Sequence, residues 1–439
     1  MLTKSNKKTI RAWAMYDWAN SVYSLTITSA IFPVYYNAVT THNGNDTIQF
    51  FGIDFVNTAL YSYSISFAFL IVALVSPLLS GIADYSGSKK SFMKFFCYLG
   101  SLACVGLFFF DRNTIELGII CSILACVGYA GSIVFYNAYL PEIALPHEQD
   151  AVSAKGYSYG YIGSVLLLVI NLAMIQFPDV FHIPSGDFPA RLSFLMVGLW
   201  WAGFAQITFA HMPKSPNTEK VTKNKLFNGY RELKKVWNEL KHLPRLQKFL
   251  LAFFFYNMSV QSIMYVATLF GTKELKMQDS QLIATIFIIQ LVAVGGSYLF
   301  SWLSAQFGNI QTLILAVIVW IGIGSMAYFI QTATQFMLLA IFVGLVMGGI
   351  QALSRSTYSK LLPETIDTTS YFSFYDVTEK VSLVIGTFLY GYIEVLTGSM
   401  RGSVLFFTMI FIVGLFLLTR LVKVPVLQAI SKAVRSSMN

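Results

Sequence analysis

The chain has 439 residues, 56% of them hydrophobic and 12% charged, with a formal net charge of +9. Soluble domains carry about 25% charged residues, so a chain this apolar needs the bilayer as its solvent. Apolar runs of about 18 residues or more recur without period-two alternation, which excludes an outer-membrane barrel and leaves a helical membrane protein.

In chain order the runs predict twelve spanning helices, near 12–39, 56–83, 92–110, 114–140, 154–177, 190–211, 246–271, 280–304, 310–331, 335–361, 371–397 and 401–424. The expected fold class is an all-α membrane protein with twelve transmembrane helices in two six-helix bundles. Residues 1–211 form the N-terminal bundle, 212–245 a cytoplasmic amphipathic linker and 246–439 the C-terminal bundle. With the N-terminus inside, about 24 of the 30 Lys and Arg fall on the cytoplasmic side and about five outside. The basic excess is therefore topology. It gives no reason to expect a nucleic-acid partner.

The first predicted helix contains Tyr16-Asp17-Trp18-Ala19-Asn20-Ser21. An ionisable side chain there costs roughly 2.5–3.5 kcal/mol on insertion scales, so Asp17 is expected to face a bundle interior. No short apolar region with a small-residue cleavage site precedes it, so this helix is expected to be retained. Asn45-Asp46-Thr47 forms a glycosylation sequon in the first outer loop. After the second helix comes Gly81-Ile82-Ala83-Asp84-Tyr85-Ser86-Gly87-Ser88-Lys89-Lys90. Gly87 permits a tight turn, Lys89 and Lys90 hold the loop in the cytoplasm, and Asp84 suits the positive N-terminus of the eleventh helix. The matching loop of the second half, Ser304-Ala305-Gln306-Phe307-Gly308, has no acid.

Cys97, Cys104, Cys121 and Cys126 lie in helices three and four and read as small hydrophobes. They have no zinc spacing, and neither a metal site nor a cofactor is expected. Helix four brings Tyr136 and Asn137 before closing at Leu140-Pro141-Glu142. Glycines 156, 160 and 163 on helix five, 295 and 296 on helix eight, and 344 and 348 on helix ten mark close approaches. Those on helices five and eight suit either a sliding surface between the bundles or static packing. Within the connector Leu226, Phe227, Tyr230, Leu233, Trp237 and Leu240 recur at helical spacing among Lys and Arg, an amphipathic tether on the membrane surface. Helix seven adds Asn257 and Gln261, helix ten Gln351 and Arg355, and helix eleven Asp376, Glu379 and Lys380. Asp376 and Lys380 are an i,i+4 pair, which leaves Glu379 as the spare acid.

A weak internal repeat relates the halves. Leu140-Pro141-Glu142 matches Leu362-Pro363-Glu364, Ile162-Gly163-Ser164 matches Ile385-Gly386-Thr387, and Tyr16-Asp17 corresponds to Tyr256-Asn257. Two related bundles can rock around a midplane site.

The loop from Gly81 to Lys90 resembles the loop-two signature of the major facilitator superfamily, with Tyr85 in place of its usual Arg or Lys. Tyr16–Ser21, Tyr136–Glu142, Lys155-Gly156-Tyr157, Gly349–Arg355 and Phe374-Tyr375-Asp376-Val377 together resemble the vacuole-effluxer-like branch of that superfamily over nearly the whole chain. The resemblance implies the major facilitator fold, a cavity lined by helices one, four, seven and ten, and, more loosely, amino-acid efflux. It further implies that Asp84, Gly87, Lys89 and Lys90 act as a conformational latch. On the lining helices stand Asp17, Asn20, Ser21, Tyr136, Asn137, Asn257, Gln261, Gln351 and Arg355.

A zwitterion needs an anion for its ammonium and a cation for its carboxylate, and Asp17 and Arg355 are the obvious opposed pair. They either flank the substrate or close an inner gate as an inter-bundle salt bridge. Proton coupling has Asp17, Glu142, Asp376, Glu379 and Lys380 as candidates. The expected function is a secondary active transporter of a small polar solute working by alternating access. A solute sensor and a lipid-handling facilitator are the alternatives. His42, His147, His182, His211 and His242 lie in loops or at helix ends, so an enzyme is not expected, and no P-loop supports ATP drive. The expected setting is a monomer in a bacterial cytoplasmic membrane, both termini cytoplasmic, with a small-molecule substrate and the lipid bilayer as its partners.

Overall fold

The computed structural model describes residues 5–41, 46–213 and 225–422. Eleven of its helices are long and apolar enough to cross a membrane. A further crossing is composite: α1 (Lys7–Val22) runs into a π-helical stretch, Tyr23–Ala30, and on into α2 (Ile31–Thr40). The sequence reading expects one regular helix over 12–39. Pro33 explains part of the irregularity, because it offers no amide to the preceding turn. The Ser29 hydroxyl donates to the Ser24 carbonyl at 3.1 Å inside the widened turn.

The remaining elements follow as α3 (Asn57–Ser86), α4 (Lys89–Gly106), α5 (Ile115–Asn137), the short α6 (Leu140–Ile143), α7 (Gln149–Gln176) and α8 (Phe188–His211). Then come α9 (Lys225–Lys241), α10 (Pro244–Lys273), α11 (Asp279–Phe307), α12 (Asn309–Phe329), α13 (Ala333–Leu361), α14 (Thr368–Thr397) and α15 (Met400–Thr419). The result is a twelve-crossing helical membrane protein. One departure from an all-α chain lies in the first interhelical loop, where β1 (Thr47–Phe50) pairs antiparallel with β2 (Ile53–Val56). Its Phe51-Gly52 turn has positive φ at both positions, the geometry a two-residue hairpin prefers. The Asn45 of the sequon lies outside the described residues.

Burial divides the molecule into an apolar cluster from Ala12 to Met212 and a second drawn mainly from Val236 to Leu421. By the alternation of crossings, the start of α1, the α3–α4 turn, α6, α9 and the starts of α10 and α14 share one end, here termed the linker end. Gly87, with φ +62°, terminates α3 there in a left-handed cap that a side chain would strain. Of the linker, 214–224 and the side chains of Leu226 and Phe227 lie outside the described residues. The rest of α9 packs on the start of α14. Lys235 bridges to Asp367 at 2.8 Å, and the Tyr371 hydroxyl donates to Glu239 at 2.9 Å.

Gly160, Gly163, Gly296, Gly344 and Gly348 pack within their own halves, Gly295 approaches no neighbour, and only Gly156 reaches the other half, at Arg355 of α13, which corrects the idea of a glycine sliding surface between α7 and α11. A Cβ on Gly160 would meet Ser21 and one on Gly163 would meet Trp18, both on the first crossing. Gly296 lies against the Leu345 carbonyl, and Gly344 and Gly348 against Ile289 and Ala293, all within the α11–α13 pair. Residues 156, 160 and 163 share one helical face, and that face of α7 is turned to α1. The seam with α11 is polar instead, with the Ser158 and Ser297 hydroxyls 2.7 Å apart.

Candidate functional site

Asp17 on α1 and Arg355 on α13 meet in the middle of the linker-end half. They are 5% and 2% exposed, with Arg355 Nη1 3.4 Å from Asp17 Oδ2. The Tyr136 hydroxyl donates to the same oxygen at 2.7 Å. The guanidinium is otherwise held by the first six crossings alone. Nε donates to Ser153 Oγ at 2.9 Å, Nη2 to the Ser153 carbonyl at 2.9 Å and Nη1 to Asn137 Oδ1 at 3.2 Å. Trp13, Tyr157 and Tyr136 present ring faces to it, with centroids 4.8, 4.2 and 5.5 Å from Cζ. A desolvated guanidinium gains about 2 kcal/mol or more from such faces. Arg355 is therefore a plug from the second half seated in a socket of the first.

One turn before Arg355, Gln351 accepts from the Tyr161 hydroxyl of α7 at 2.7 Å. Asp17, Asn137 and Gln351 thus converge on one region between the halves. Ser21 lies beside them, partly exposed, and its hydroxyl reaches Asn20 Oδ1 at 3.4 Å. Asn20 itself is fully buried with an unpartnered Nδ2. Asn257 is not on the lining: it donates to Ser382 at 2.7 Å in the α10–α14 contact and is buried there. Gln261, one turn further along α10, does face inward and donates to Glu379 at 3.3 Å. Asp376 and Lys380 pair with each other along α14. The Glu379 carboxylate has no cation partner among the described residues, and it lies within electrostatic range of Tyr157 and Tyr375.

Nearer the linker end, Asp84 accepts from the Thr369 amide at 3.2 Å and the Ser370 amide at 2.6 Å, both in the first turn of α14. Glu142 pairs with Lys89 and accepts from the Thr368 hydroxyl at 2.7 Å, while Lys89 donates to that hydroxyl at 2.6 Å. Glu142 is thus tied into the rim, away from Glu379. Lys90 has a different task, donating to the Met212 carbonyl at 3.1 Å within the first half.

Sequence reasoning missed the second rim contact. The loop Ser304–Gly308 has no acid because Asp150, in the first turn of α7, supplies one from the opposite side. Its carboxylate accepts from Ser304 at 2.9 Å, Asn309 at 2.7 Å and Lys360 at 2.6 Å. The missing acid was itself the signal that a carboxylate elsewhere fills the position. Across the seam, then, Asp17, Asp84, Glu142 and Asp150 all come from the first half, and their cross-seam donors from the second.

Carboxylates at helix N-termini contribute about 0.3–1 kcal/mol, rising to about 2 when partly buried. Asp84→Asn should therefore open the linker end more often, shifting the closed-to-open ratio by about five- to thirtyfold. Spin labels on α3 and α14 measured by pulsed electron resonance check this. An unchanged distance distribution would count against the latch.

Three comparisons bear on this geometry. Residues 5–426 match the family described as vacuole effluxer Atg22 like. An uncharacterized MFS-type transporter of Bacillus subtilis, YxiO, is 31% identical over 95% of this chain and 95% of its own. Autophagy-related protein 22 of Pichia angusta is 26% identical over 78% of this chain and 71% of its own. Among solved structures, a variant of the E. coli fucose:proton symporter FucP superposes with a TM-score of 0.71 at 13% identity, covering 96% of this chain and 100% of that one. A double-tryptophan variant of XylE gives 0.70 at 12% identity, covering 95% and 94%. The structural neighbours establish the major facilitator fold, and the sequence relatives make the protein a transporter rather than an enzyme. The chain belongs to the vacuole effluxer Atg22-like family of major facilitator transporters.

Proposed function

We propose that the protein exports or exchanges a small polar solute, amino acids being the class favoured, by alternating access in a bacterial cytoplasmic membrane. Asp17 and Arg355 act as its linker-end gate. The observation that carries this is the one-sided polar seal. The cross-half ion pairs and side-chain hydrogen bonds described above run from the rim at Asp84 up to Tyr161–Gln351. Beyond them lie Ser24, Tyr129, Gln261 and Glu379, polar and partly exposed.

Glu379 receives the ammonium of the solute or a proton in this reading, because its carboxylate is in no salt bridge among the described residues while Asp376 is paired with Lys380. Arg355 is committed to Asp17 in this state and becomes free for a carboxylate only when the gate opens. Basic residues concentrated at the linker end support a cytoplasmic placement for it and for both termini. The Bacillus subtilis relative supports a bacterial setting. Both halves needed to enclose the pathway belong to one chain, so a monomer suffices.

The test is counterflow in proteoliposomes across an amino-acid panel, with and without a pH gradient. Labelled amino acid should accumulate against unlabelled. Glu379→Gln should lower gradient-driven flux by about a hundredfold or more, the range of a general acid–base group. No exchange of any amino acid, while sugars or organic anions exchange, would redirect the substrate class.

A further inference from the structure

Between the linker helix α9 and the start of α10 lies an open cleft of about 370 Å³. Its walls are apolar, formed by Leu240, Leu250, Leu251 and Phe254, with Trp237 and Lys241 at the mouth. Trp237 and Leu251 are each 50% exposed, so the cleft is accessible from outside the protein. The Lys241 ammonium lies 6.0 Å from the Trp237 ring centroid, the amphipathic arrangement of a membrane-interface residue pair. Lys248 directly follows Gln247, which also lines the cleft, and sits one turn before Leu251. Arg245 is one further turn toward the linker. None of Lys241, Arg245 and Lys248 is in a salt bridge among the described residues, although the same helices carry paired Lys235 and Lys273.

We propose that this cleft binds one anionic glycerophospholipid, with an acyl chain between α9 and α10 and its phosphate on Lys241 and Lys248. The charge complementarity fixes the occupant. Lys241 lines the apolar slot and Lys248 flanks it one turn before Leu251, neither in a salt bridge among the described residues, and no carboxylate among its walls would favour a cationic or zwitterionic headgroup. The site also touches the gate machinery. Thr378 of α14 lines the cleft, and Trp237 packs on Phe374 with centroids 5.6 Å apart, about one turn from the amides that cap Asp84. A bound lipid would brace α9 against the start of α14.

Native mass spectrometry of the full-length protein in detergent, titrated with phosphatidylglycerol or phosphatidylcholine, tests this. One phosphatidylglycerol should be retained in preference to phosphatidylcholine, by about fivefold for each cation engaged. Lys241→Gln with Lys248→Gln should remove the preference. Leu251→Trp, which leaves every charge in place and fills the slot, should remove retention itself. Both are surface changes, and a detergent melting curve matching the unaltered protein confirms that they fold. Equal retention of the two lipids, a preference that survives the double lysine change, or retention undiminished by Leu251→Trp overturns the proposal. So does displacement of the lipid by free glycerol phosphate, or an adduct with the mass of a peptide or a second copy in its place.

Discussion

Arg355→Ala is expected to abolish transport and to destabilise the protein by about 3–5 kcal/mol, the cost of stranding a buried charge when its partner is removed. The substitution leaves Asp17 without a cation inside a wall of Trp13, Tyr136 and Tyr157, and it strips three donors from Ser153 and Asn137. Neutralising both partners together, as Asp17→Asn with Arg355→Gln, should fold nearly as well as the parent, because no lone charge remains. Transport by that double variant should still fail, since the ionic closure of the linker end is gone. Detergent melting curves, proteoliposome flux and distances between labels on α5 and α13 give the three readouts. Solute affinity separates a gate from a binding role. An affinity for the double variant within about twofold of the parent keeps the pair in the gate; a loss of tenfold or more, about 1.4 kcal/mol, would put it in contact with the solute.

Gly156→Val should produce a comparable loss of function by a different route. A Cβ at this position would lie 2.5 Å from Asp17 Oδ2, 2.9 Å from Arg355 Nη2 and 3.0 Å from Trp13. The pair cannot stay joined around it, and overpacking of this kind costs about 1–3 kcal/mol. Gly156→Ala should give an intermediate phenotype. Gly203→Ala and Gly295→Ala are the controls, since an added Cβ there meets nothing within 4 Å. If Gly156→Val leaves flux and linker-end distances intact while the controls behave as expected, the close approach has no mechanical role.

Hydropathy made the crossings legible because each apolar run is long and uninterrupted. Their starts were misjudged wherever a charged first turn is helical, as with Lys7, Lys89 and Asp150. A residue such as Asp150 looks like loop chemistry until the helix it opens is seen to reach across the seam. Asp17 and Arg355 were conspicuous for the opposite reason, as lone ions deep in apolar helices. Lining residues were harder. Asn257 and Gln261 are one turn apart on α10, yet only the packing of α14 decides that the first meets Ser382 and the second Glu379. The π-helical stretch of the first crossing and the Phe51-Gly52 hairpin also escaped, because a widened helical turn has no residue signature and Phe51 stands where such a turn usually has Asn or Asp before its Gly. Ser153, Trp13 and Tyr157 form most of the Arg355 socket; Tyr157 stands in a family-like motif, but nothing in the local sequence marks Ser153 or Trp13.

The one-directional placement of anions along the seam has a consequence for whatever passes by that route. When the halves part, Asp17, Asp84 and Asp150 stay together on one lip, and Arg355, Lys360 and the amide-rich start of α14 on the other. The widening mouth therefore sustains a transverse electric field, negative on one wall and positive on the opposite wall. A dipolar solute would cross it aligned, ammonium to one side and carboxylate to the other, while a monovalent ion of either sign would be drawn to a wall and held.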